Sequence, residues 1–188
     1  MNYDDYKKII KGRMSEKRYI HSVNVAKEAE KLAKLYGADV EKAKVAGILH
    51  DITKETPPEE QLKIIADSGI ILDNIQKSAK KLWHSLSGSI YVNKVLGIDD
   101  KDILNAIRYH TSGRAGMSLL EKIIFIADFT GEERDYDGVD IMREKAYSNL
   151  EEAMAFGLAF TIRDLTSRNM PIHPDALAAY NEIMLLKI

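Results

Sequence analysis

Most of the chemistry open to this chain lies in five histidines and a few aspartates. Cysteine is absent, which removes a thiolate nucleophile, an iron–sulfur cluster and cysteine-bound zinc. Any metal must be held by imidazole and carboxylate, a donor set that suits Fe, Mn, Ni, Co, Zn or Mg. Six residues stand out as candidate ligands: His21, His50, Asp51, His84, His110 and Asp128. At 100° per residue, each lies on, or at the end of, an apolar helical face. His21 edges the stripe of Val25, Ala29, Leu32 and Tyr36, and His50-Asp51 closes the uncharged run VAGIL. His110 shares a face with Ile103 and Ile107, His84 follows Trp83, and Asp128 follows the unbroken apolar run 123–127.

A lone histidine in such a place is more often a satisfied core residue than a ligand. A buried carboxylate has no such cheap explanation, because leaving it unpaired is very costly. Two inward aspartates need positive charge, either from metal or from internal ion pairs with Arg18, Lys54 or Arg108. Ion pairs alone leave the number of inward histidines unexplained. His50 and Asp51 are adjacent, so their side chains diverge by about 100° and cannot chelate along one helix face as an i, i+4 pair would. They can grip an ion at the helix end if other helices complete the shell. Six ligands exceed one tetrahedral site and suit two ions sharing a carboxylate, with Asp51 as the bridge. Ligands spread over five helices would make metal binding part of what holds the chain together.

The elements that must position these groups are punctuated along the whole length. Gly37 suits a left-handed cap for a helix over 17–36, and Asp39 can cap 40–51. Thr56-Pro57-Pro58-Glu59 reads as a capping box with proline at the first helical position, opening a helix that stops at Gly69. Further helices are expected over 79–96, over 100–110 with Asp99 as cap, and over 118–129 from the box Ser118-Leu119-Leu120-Glu121. Two more are expected, over 139–167 (in one or two pieces) and over 174–186. No stretch alternates with period two for long enough to make a strand. The expected fold class is therefore all-α, a single-domain helical bundle over 1–188.

Charge and hydropathy narrow the partners. The 27 basic and 29 acidic residues give a net charge of −2, against the basic excess of nucleic-acid binders. The longest apolar runs are about five residues, where a membrane span needs about 20, and the N-terminal MNYDDYKKIIK has no apolar signal region. The expectation is a cytoplasmic chain with no nucleic-acid or membrane partner. The apolar segment 153–160 is expected to be either core or the face of a homodimer.

His21, the pair His50-Asp51 in ILHDITK, and Asp128 in IADFT match the ordered H…HD…D signature of HD-domain metal-dependent phosphohydrolases. More narrowly, RYIHSVNVA, AGILHDITK, YHTSGRAGMS, KIIFIADFTGEERDYDGVDIMR and PIHPDALAAYN together resemble the bacterial YqeK family over nearly the whole chain. The resemblance implies an HD-type bundle, symmetrical hydrolysis of diadenosine tetraphosphate to two ADP, and a dinuclear site with iron first among the divalent metals. It implies that His21, His50, Asp51 and Asp128 hold one ion, that Asp51, His84 and His110 hold the other, and that the segment around His173 lines the nucleotide pocket. One departure is plain. Family members often carry Glu-Pro after the last aspartate, where this chain reads Thr130-Gly131-Glu132-Glu133, with Arg134 kept.

Cleaving a phosphoanhydride takes a nucleophile at neutral pH and neutralisation of charge spread over the phosphoryl oxygens. Two ions supply both, so no protein nucleophile is needed, in keeping with the missing cysteine. Asp51, His84, His110 and Lys54 are expected to carry the chemistry, and Arg18, Lys54, Thr111, Arg134 and His173 to bind substrate. Lys54 lies one turn past His50-Asp51, Arg18 one turn before His21, Arg134 in the loop after Asp128, and Thr111 directly after His110. Other readings of the same residues are a different nucleotide phosphohydrolase or phosphodiesterase, an HD-type di-iron oxygenase, and a non-catalytic metal-stabilised bundle that binds a nucleotide. No GxGxxG or Walker loop is present.

Overall fold

The computed structural model describes residues 1–186. In order it runs α1 (Tyr3–Lys11), α2 (Glu16–Tyr36), α3 (Val40–Leu49), α4 (Pro58–Asp67), α5 (Asn74–Ser78), a 3-10 turn (Lys80–Leu82), α6 (Trp83–Lys94), α7 (Lys101–Tyr109), α8 (Leu119–Thr130), α9 (Val139–Ser148), α10 (Leu150–Ser167) and α11 (Pro174–Leu185). No strand occurs among the described residues, as the patterning predicts. Helix α2 opens where the Ser15 hydroxyl accepts from the Arg18 amide and closes at Gly37, whose φ of 75° is left-handed. Asp39 caps α3, and the reciprocal Ser118–Glu121 box opens α8.

Three local expectations need correction. Asp100, not Asp99, caps α7, because its carboxylate accepts from the amides of both Asp102 and Ile103. Thr56 does not cap α4; Pro57 takes the cap position without a side-chain bond. Pro58 then lacks an amide hydrogen, so one donor fewer needs satisfying. The segment 79–96 divides into a 3-10 turn and α6, and α6 ends at Lys94. Helices α1 and α5 were not anticipated. Asn2 and Asp5 form a capping box that starts α1, and Tyr6 and Ile10 bury its inner face. That box is a sequence signal that could have revealed it.

Helix α8 is the axis of the core. Residues 123–127 have no exposed surface, and α2, α3, α7 and α10 all pack against this helix. Each buried isoleucine there contributes roughly 1.5–3 kcal/mol. The segment 153–160 proves to be core, since Ala153, Met154, Ala155 and Leu158 are buried in the same cluster. Helices α2 and α3 meet backbone to backbone. A Cβ at Gly47 would lie 2.8 Å from the Cα of Ala26, so α3 can settle this close only with glycine there. That contact brings His21, five residues before Ala26, beside His50, three residues after Gly47. No described helix is long and apolar enough to cross a membrane.

Candidate metal centre

His50 and His110 occupy equivalent places at the C-terminal caps of α3 and α7. Each ring donates its Nδ1 hydrogen to the carbonyl three residues back, Gly47 O and Ile107 O, both at 2.7 Å. In the neutral ring that leaves Nε2 as the lone-pair atom. His21 comes from the second turn of α2, His84 from the first turn of α6, and Asp128 from the last turn of α8. Asp51 lies in the turn that follows α3.

These side chains converge on one spot. The Nε2 atoms of His21 and His50 lie 3.2 Å apart, and those of His84 and His110 lie 3.1 Å apart. Asp51 sits between the two pairs and divides its oxygens between them. Its Oδ2 is 3.4 Å from His50 Nε2 and 3.7 Å from His21 Nε2. Its Oδ1 is 3.2 Å from His84 Nε2 and 3.6 Å from His110 Nε2. Asp128 Oδ1 joins the first pair, 3.1 Å from His21 Nε2. Donor atoms of His21, His50 and Asp51, and likewise of Asp51, His84 and His110, lie within 4.8 Å of one another.

The donors fit divalent cations. Asp51 Oδ1 is buried and accepts no hydrogen bond. His50 and His110 present Nε2 to the imidazole nitrogens of His21 and His84 and to the Asp51 carboxylate. Burial disfavours charge on Asp51, yet the surrounding His50, His110 and His84 outweigh it and hold its carboxyl well below the usual carboxylate range. Burial likewise opposes ionisation of Asp128, and His21 and Arg134 overcome it. Burial pushes the His84 imidazole down to about 4 against the pull of Asp51, and burial lowers that of His50. The His84 ring is therefore neutral at pH 7, the state a ligand needs.

The ion-pair alternative is realised at the carboxylates alone. Arg18 Nη1 donates to Asp51 Oδ2 at 2.8 Å. Arg134 donates to the Asp128 carboxylate and, through Nε, to the Asp128 carbonyl at 2.6 Å. Lys54 Nζ stands 3.8 Å from Asp51 Oδ1 and 3.1 Å from His84 Nε2. Arg108 turns away, with its guanidinium 5.3 Å from the Tyr109 ring centroid. Arg114 pairs with the buried Glu121 through two 2.7 Å bonds. The side chains of Arg18, Lys54 and Arg134 are 29%, 34% and 35% exposed, so they line the mouth of the cluster. Asp128 also opens to this mouth at 21% exposure, and is less enclosed than the apolar run before it predicts.

Thr111 Oγ1 reaches within 3.4 Å of His84 Nε2. From there a cavity of about 440 Å³ runs between Leu82, Ser112, Leu165, Met170 and His173. His173 is the one expected site residue that the fold keeps out of the cluster. It caps α11, where Nδ1 accepts from the Asp175 amide at 3.2 Å, and its buried Nε2 makes no hydrogen bond, with Asp73 Oδ2 3.6 Å away. Sequence reasoning missed Glu133, whose Oε1 bonds His21 Nδ1 at 2.5 Å, and Asn24, which donates to Glu133 Oε2 at 2.7 Å. The available signal was an acidic residue in the loop directly after the Asp128 helix.

An all-helical fold that gathers four imidazoles and two aspartates from five helices and their ends defines a class, and residues 18–130 match the HD domain family model. The chain belongs to the HD-domain family. It is 41% identical to a protein of Halalkalibacterium halodurans over 98% of both chains, and 40% identical to one of Bacillus subtilis over 96% of this chain and 97% of the relative. Both relatives are named symmetrical bis(5'-nucleosyl)-tetraphosphatase. A solved HD-superfamily hydrolase of Clostridium acetobutylicum, described as involved in NAD metabolism, superposes with a TM-score of 0.96 at 38% identity, covering 99% of this chain and 98% of that one.

Proposed function

We propose that this chain hydrolyses dinucleoside tetraphosphates symmetrically, taking diadenosine tetraphosphate to two ADP at the cluster centred on Asp51. The observation that carries the two-ion centre is the division of the Asp51 carboxylate, one oxygen towards each histidine pair, and the substrate follows from the likeness to the two symmetrical tetraphosphatases over nearly the whole chain. His21, His50, Asp51 and Asp128 would hold one divalent cation, and Asp51, His84 and His110 the other, iron being our first choice of metal. Two such ions supply a water of lowered pKa and a clamp on the attacking and leaving oxygens.

The protein's own groups do the rest. Arg18, Lys54 and Arg134 stand at the mouth, where a polyphosphate bridge must enter. Their charges offset the substrate's, and the two arginines can meet phosphate oxygens in bidentate fashion. Lys54 and Thr111 both lie against His84, which places an ammonium and a hydroxyl beside the phosphate at that end. The cavity leading from Thr111 to His173 has apolar walls from Leu82, Leu165 and Met170 and a rim of Lys80, Lys81 and the Arg168–Asp164 ion pair. Such a slot suits a nucleoside whose base is covered by apolar side chains while its phosphates stay outside.

Protein purified without chelator, given diadenosine tetraphosphate, should release ADP as its only nucleotide product, read by ion-exchange chromatography. Equal amounts of AMP and ATP, or an untouched substrate alongside cleavage of another nucleotide, would overturn the symmetrical assignment.

A further inference from the structure

The four cluster histidines are not oriented alike. His50 and His110 are locked by carbonyls of their own helices, but His21 has its Nδ1 on a side chain from outside α2, the Glu133 carboxylate at 2.5 Å. That carboxylate is itself fixed. Asn24, three residues after His21 on α2, donates to its other oxygen at 2.7 Å. The loop beneath is pinned as well. Arg143 of α9 donates to the carbonyls of Gly131 and Arg134 at 3.1 and 3.0 Å, and the Arg134 amide bonds Gly131 O at 2.9 Å. A Cβ built on Gly131 would lie 3.1 Å from both carboxylate oxygens of Glu133. Position 131 thus points straight at the volume the Glu133 carboxylate fills.

From this geometry we infer that Glu133 is the positioning residue for His21, and that Gly131 keeps clear the space its carboxylate needs. A carboxylate hydrogen-bonded to the far nitrogen of a ligating histidine fixes the ring and makes the ligating nitrogen more basic. Glutamate grown from 131 would deliver its carboxylate to the same place, so one carboxylate serves His21 from 131 or from 133, never from both. The inference rests on the metal-centre reading above, and its test separates the two.

Chelator-treated wild type, Glu133→Ala, Glu133→Gln and the double variant Gly131→Glu/Glu133→Ala are each titrated with Mn2+ alone in a calorimeter, and their metal-free melting temperatures compared. Wild type should take up two ions. Glu133→Ala should bind one as before and the other about 10–100-fold more weakly, with Glu133→Gln between the two. The double variant should recover most of the loss, a rescue that a merely structural role for Glu133 would not produce. Metal-free melting should show one cooperative transition in every variant, so that affinities are compared between folded proteins. Wild-type affinity for both ions in Glu133→Ala, or no recovery in a double variant that melts metal-free in one cooperative transition, would overturn the inference. If the double variant fails to fold, a Glu133→Gln variant indistinguishable from wild type overturns it instead. A wild type that binds no ion sinks the metal-centre reading, a result distinct from either of these.

Discussion

At the scale of single residues, what matters is where lone pairs point. The Nδ1 bonds of His50 and His110 to Gly47 and Ile107 leave both Nε2 atoms facing inward, and Asp51 meets each pair with a different oxygen. Truncating His84 removes one arm of the second trio and leaves His21, His50 and Asp128 in place. His84→Ala should therefore carry one ion per chain instead of two by elemental analysis. Its turnover should fall by more than the roughly 10–100-fold that outer partners of metal ligands cost, with the helical circular-dichroism spectrum retained. Full turnover with one ion would rule out a two-metal mechanism. All six candidate ligands could be read as inward-facing polar residues on, or at the end of, an apolar helix. Glu133 offered only its place in the loop directly after the Asp128 helix, because a loop has no periodicity from which to read a direction.

At the scale of helices, the close approach of α2 and α3 decides whether the His21–His50 pair exists. An added methyl at Gly47 meets Ala26 backbone, which cannot swing aside as a side chain can. Elsewhere in a helix, glycine to alanine typically gains about 0.5–1 kcal/mol. Gly47→Ala should reverse that sign and cost about 1–3 kcal/mol by overpacking, measured by urea denaturation of the metal-free protein. It should also weaken the ion held by His21 and His50. A Gly47→Ala protein at least as stable as wild type would show that α3 is not held against α2 at this point. Apart from α1 and α5, the existence of the helices was readable here from caps and apolar stripes. Exact starts were not, since Asp99 and Asp100 are equally good caps on paper and the choice falls to whichever carboxylate finds free amides.

At the scale of the whole molecule, the cluster ties α2, α3, α6, α7 and α8 to a common centre, so ions held there stabilise the folded chain and not the unfolded one. Free metal at about 100 times its Kd contributes roughly 2.7 kcal/mol per site. For a chain of this size each kcal/mol moves Tm by about 2–4 °C. Stripping metal with chelator should lower Tm by roughly 5–10 °C per site vacated, and Mn2+ should restore it; a melting curve indifferent to chelator would argue against a structural share for the ions. The helical class and the inward polar residues were set by local rules, because periodicity, capping and composition act within a few residues of each other. The pairing of the imidazoles, the split of the Asp51 carboxylate, the three cations at the mouth and the grip of Glu133 on His21 came from the packed chain. Those contacts join residues up to 112 positions apart, and no local pattern encodes the direction from which a distant helix or loop arrives.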